Sequence, residues 1–156
     1  MKQYVMLVAA AAVMACKDTT DPHEVDVASL RLTIATPGTA NTQTVTIASN
    51  PGCAVSGGPI ALTVNQARTV TATFLNGAGT ADPVANDADE FQLAGGEGEN
   101  NPTPTPGTIT FTRTGAFSGT LTGSAATSGS VFFSLLHLEE GHEDWGPCAV
   151  PITVSP

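Results

Sequence analysis

The densest chemistry in the sequence lies in residues 136–148, LHLEEGHEDWGPC, where two histidines, four carboxylates and the only tryptophan precede a cysteine. Imidazoles with carboxylates form the donor set of zinc, copper and nickel sites. If a strand continues through Glu139, period-two alternation puts His137 and Glu139 on one face, and a turn at Gly141 folds His142, Glu143 or Asp144 back toward them. The metal-ligand reading is therefore His137, Glu139, His142 and Asp144, with His23 and Glu24 as further donors from the N-terminal segment. The competing reading is a solvated acidic hairpin, in which Gly141 makes the turn, Gly146 and Pro147 start the next strand and Trp145 covers one end of the fold. On sequence the hairpin comes first and the metal loop second.

Other chemistries find less support. Metalloprotease work needs a helix with two histidines four residues apart and a glutamate between them; here the histidines are at 137 and 142, with Gly141 intervening. The stretch GAFSG misplaces its glycine and serine for a nucleophile elbow. GGEGEN, residues 95–100, lacks the lysine and glycine spacing of a phosphate loop. In DPVANDADE, residues 82–90, Asp87 and Asp89 resemble the start of a calcium loop, but the glycine and closing glutamate are missing, so a solvated turn is expected. No catalytic residues are assigned, and an enzyme is not expected.

The N-terminus reads as an export signal. Lys2 is followed by an apolar run to Ala15, too short for the ~20 helical residues that span a bilayer core. The run closes on VMAC, residues 13–16, which resembles a bacterial lipobox and makes Cys16 the lipidated mature N-terminus. Met14 stands where lipoboxes carry a small residue, so ordinary secretory cleavage after Ala15 is the alternative. With two or three acyl chains the anchor is stable. The resulting expectation is a signal peptide over 1–15, a lipidated tether over 16–24 and a location in the bacterial cell envelope. Lys17 after the lipidated position resembles outer-membrane cargo.

Export bears on the other two cysteines. In an oxidising compartment Cys53 and Cys148 are expected to form a disulfide, which closes a loop of about 95 residues and stabilises the fold by about 4–5 kcal/mol on the chain-entropy model. Two thiolate metal ligands are the alternative, although neither cysteine belongs to a Cys-x-x-Cys pair. A net charge of −9 argues against nucleic acid and anionic lipid surfaces as partners. An unidentified protein or glycan remains.

The elements that must position these groups are strands. Leu30, Leu32 and Ile34 alternate in one run, as do Val45 and Ile47, then Ile60, Leu62 and Val64, then Val70, Ala72 and Phe74. The pattern continues with Phe91 and Leu93, Ile109 and Phe111, and Phe117 and Leu121, and ends in SVFFSLLHL and CAVPITV. In the last run Cys148, Val150, Ile152 and Val154 share one face. Short threonine-rich strands between turn signals predict an all-β, antiparallel sandwich.

Two longer stretches, IALTVNQARTVTATFLNGAGT (60–80) and GTITFTRTGAFSGTLTGSAATSGSVFFSLL (107–136), resemble bacterial immunoglobulin-like domains of the group-2 type. In the second, Phe117, Gly119, Leu121 and Gly123 occupy the family's Gly-x-x-x-Gly turn region. The resemblance covers about residues 58–155 and implies an immunoglobulin-like binding or structural module; no cofactor is expected, with a transition metal at 137–144 as the alternative. The strands at 25–49 precede the usual module and are expected to enlarge it into one domain over 25–156. Residues 94–107, AGGEGENNPTPTPG, are expected to form a mobile surface loop.

Overall fold

The structure is a computed structural model that describes residues 25–49, 52–96 and 108–156. The expected signal peptide, Cys16 and the tether lie outside the described residues, as do residues 97–107 of the expected loop.

The described residues hold ten strands and no helix. A six-stranded sheet contains β1 (Ser29–Ala35), β2 (Thr42–Ala48), β3 (Ala54–Ser56), β5 (Arg68–Leu75), β7 (Ile109–Gly115) and β8 (Ser118–Gly123), in the order β3-β2-β1-β5-β8-β7. A four-stranded sheet contains β4 (Ile60–Thr63), β6 (Phe91–Gly96), β9 (Thr127–His137) and β10 (Glu143–Ser155), in the order β4-β10-β9-β6. Every strand pairing is antiparallel except β4 with β10, where Ile60 lies opposite Ile152.

Alternation explains why these strands stack as they do. Leu30, Leu32 and Ile34 of β1 are fully buried, as are Val45 and Ile47 of β2 and Val70 and Phe74 of β5. From the other sheet come Phe91, Leu93, Val131, Phe133, Leu135, Val150, Ile152 and Val154, and all join one apolar core. Each buried Phe or Leu side chain contributes roughly 1.5–3 kcal/mol. The result is a sandwich-like, two-sheet fold. On the outer face of the large sheet the intervening residues align in cross-strand rows, such as Thr44, Thr33 and Thr71, and give a polar surface with few charges.

The disulfide expectation holds: Cys53 and Cys148 are bonded, with Cα atoms 5.4 Å apart. Cys53 leads into edge strand β3 of the large sheet and Cys148 lies in β10 of the small one, so the bond ties the two layers together.

Three boundaries differ from those expected. The three-residue strand β3 is too short to show alternation in the sequence. Residues 94–96 belong to β6, not to the loop. A Cβ on Gly95 would meet the Phe111 ring at 2.7 Å, so this glycine is a seat for an aromatic side chain and not a chain breaker. Finally, β10 starts at Glu143, five residues before Cys148, and pairs with β9 across two register shifts.

Candidate metal centre

The chemistry-bearing residues gather at the turn between β9 and β10. Along β9 the inward positions are Val131, Phe133, Leu135 and His137, so His137 is the last side chain of a buried stripe and is 6% exposed. Its imidazole stacks on Phe91 of the neighbouring strand, with ring centroids 4.7 Å apart and planes 27° apart.

The chain turns immediately after His137. The Gly141 N–H donates to the His137 carbonyl at 2.9 Å, and the His137 N–H donates to the His142 carbonyl at 2.9 Å. Gly141 has φ of 68°, which is natural for glycine and closes this tight loop. The Leu138 N–H is taken by the Glu90 carbonyl at 2.8 Å, which pins the turn to the segment before β6.

On the returning strand the bulges decide which side chains face inward. Cys148 pairs with Phe133 and Trp145 with Leu135, so β10 spends one more residue than β9 between those pairs, at Gly146–Pro147. An odd residue inverts the alternation. Trp145 is thereby buried beside the even-numbered core residues, its ring edge-on to Phe74 at 5.7 Å. A second shift between Glu143 and Trp145 leaves Asp144 only 14% exposed, beside the histidines.

One ligand atom from each of His137, His142 and Asp144 lies within 4.8 Å of the others. His137 Nδ1 is 3.6 Å from Asp144 Oδ2 and 3.8 Å from Glu140 Oε2. His142 lies between the two carboxylates, its Nδ1 3.2 Å from Glu140 Oε2 and its Nε2 against Asp144 Oδ1. The base of the cluster, His137 and Asp144, is largely buried, and its mouth is open: His142 is 53% and Glu140 59% exposed.

The structure thus brings together three of the four residues singled out in the sequence and leaves Glu139 outside the group. Glu139 was expected to share the His137 face if the strand continued, but β9 ends at His137 and the turn returns Glu140 instead. Phe91 could not be foreseen as the histidine's ring partner, because the two are 46 positions apart. Glu143 points elsewhere, accepting from the Ser134 hydroxyl at 2.7 Å beside a depression of about 180 Å³ lined by Gly95, Gly96, Phe132 and Pro147. His23 and Glu24 lie outside the described residues.

The second acidic segment is built for capping. Asp82 Oδ1 accepts the N–H groups of Val84 and Ala85, and Asp87 Oδ1 accepts that of Asp89. Asn86 holds the backbone of Phe74 with both ends of its amide. These side chains serve a turn.

Comparisons with protein families, with curated proteins and with solved structures found no match. No helix among the described residues is long and apolar enough to cross a membrane.

Proposed function

We propose that the chain is a non-enzymatic lipoprotein, exported and held on a bacterial membrane through Cys16, that displays an immunoglobulin-like module whose binding end is the β9–β10 turn. The observation that carries this reading is the Cys53–Cys148 disulfide joining the two sheets. Structural disulfides belong to oxidising compartments, in keeping with a leader-like apolar run ending at Cys16. The strand order supports the immunoglobulin-like reading. From residue 60 onward, β5-β8-β7 and β10-β9-β6 group as the B-E-D and G-F-C strands of an immunoglobulin sandwich do, whereas the first strand, β4, pairs in parallel with β10 instead of joining β5. On this reading β1, β2 and β3 extend the first sheet beyond the module. A frame tied across its layers holds the turn, where a protein or glycan partner would dock.

Expression of the full chain in a bacterium fed a labelled fatty acid tests the anchor. Label and membrane association are expected, both lost in Cys16→Ser, with Cys53 and Cys148 resistant to alkylation until reduced. A soluble cytoplasmic chain with two reactive thiols would contradict the proposal.

A further inference from the structure

We infer that the β9–β10 turn is a binding site for a divalent transition-metal ion, with His137, His142 and Asp144 as ligands and Glu140 as the solvent-side fourth. This goes beyond the display function and stands on the turn's geometry alone, whether or not Cys16 carries lipid.

The donor spacing is the first argument. Bonds of 2.0–2.1 Å to nitrogen and oxygen in a tetrahedron place neighbouring donor atoms about 3.3 Å apart. The separations here are 3.2 Å for His142 Nδ1 to Glu140, 3.6 Å for His137 Nδ1 to Asp144 and 3.8 Å for His137 Nδ1 to Glu140. These pairs lie within about half an ångström of that spacing, while the ligand atoms of His137, His142 and Asp144 as a set are separated by up to 4.8 Å, so closing onto an ion also requires His142 to move inward. The larger adjustment, turning His142 from its bridge between two carboxylates, falls on a half-exposed side chain.

Preorganisation adds to the spacing. His137 is fixed by burial, by its stack on Phe91 and by two backbone hydrogen bonds across the turn. The stack sets the plane of the ring, and the main-chain bonds hold the strand end that carries it. Asp144 is held nearly buried by the bulged strand. A largely buried pair of donors at the base and two exposed, adjustable donors at the mouth supply both a site and an entry path.

Chemistry selects the ion. Two imidazoles with carboxylates suit zinc, copper or nickel. Calcium and magnesium call for an all-oxygen shell of six or more donors, which this turn does not offer.

The test uses the full chain, stripped with chelator and titrated separately with zinc, copper, nickel and calcium. Binding is counted by equilibrium dialysis and followed by thermal melting. Trp145 is the only tryptophan and adjoins Asp144, so quenching by copper reports whether the ion binds here. The expected result is one transition ion per chain, a melting temperature raised by about 5–10 °C at a hundredfold excess over Kd, and quenching of Trp145. Calcium is expected to have no effect.

Binding should be lost in His142→Ala and Asp144→Asn but kept in Glu139→Gln and His23→Ala. Because His142 is half-exposed, His142→Ala should melt in chelator within about a degree of the parent, which separates lost binding from lost folding. Absence of saturable binding overturns the inference. So does binding that survives His142→Ala, or a calcium effect equal to that of zinc. The fatty-acid label is read independently, so the anchor and the metal site can fail separately.

Discussion

The imidazole of His137 lies on the ring of Phe91, centroids 4.7 Å apart, and this stack links the turn chemistry to the core. Phe91 is fully buried at the start of edge strand β6, opposite the last residue of β9. Phe91→Ala should therefore cost about 3–5 kcal/mol in urea unfolding, through lost transfer energy and the cavity left behind. Phe91→Leu keeps much of the volume but removes the ring current, so the imidazole proton resonances of His137 should move downfield. Unchanged resonances would mean that the stack does not persist in solution.

Joining Cys53 to Cys148, at a sequence separation of 95, clamps an edge strand of one sheet to the interior of the other. Replacing both cysteines by alanine should lower stability by about 4–5 kcal/mol if the chain-entropy effect dominates. The comparison is the urea midpoint of the oxidised parent against the double variant. A loss below about 1 kcal/mol would show that the sheets are held by the core alone.

Asn86 performs a backbone task at the end of β5. Its Oδ1 accepts the Phe74 N–H at 3.0 Å, and its Nδ2 donates to the carbonyls of Phe74 and Asp82, both at 2.7 Å. In Asn86→Ala the Phe74 amide loses its partner in a buried setting, at a cost of about 1–3 kcal/mol. Asn86→Asp restores the acceptor but sets a carboxylate against two carbonyls, so it should not rescue. Hydrogen exchange at the Phe74 amide should accelerate in both variants.

Alternation made the strands and the inward faces legible, because nearly every buried stripe is a run of apolar residues two apart. His137 was readable as a member of such a stripe in SVFFSLLHL, but not as its last residue. What the sequence concealed were the interruptions. Nothing in Gly146–Pro147 announces that the following alternation is inverted, nor that Trp145 and Cys148 share a side despite their odd separation. Glu140 replaced Glu139 beside the histidines because the strand ends at His137, two residues before the first carboxylate. Gly95 looked like loop because its reason for being glycine is the Phe111 ring in another sheet.

The bulge at Gly146 offers the sharpest test of how the turn is positioned. Its φ is 89°, and a Cβ there would lie 2.7 Å from the Phe133 carbonyl oxygen and 3.0 Å from Ser134 Cα. Gly146→Ala therefore meets both backbone strain and a backbone clash, and should cost about 2–4 kcal/mol. Gly141 supplies the control: its φ is 68° but no atom lies within 4 Å of the added methyl, so Gly141→Ala should cost only about 1–2 kcal/mol. Because the Gly146 bulge turns Trp145 inward, Gly146→Ala should also shift tryptophan emission to longer wavelength, and Gly141→Ala should not. Equal costs with unshifted emission in both would show that the close approach to β9, and with it the placement of Asp144, does not depend on a glycine at 146.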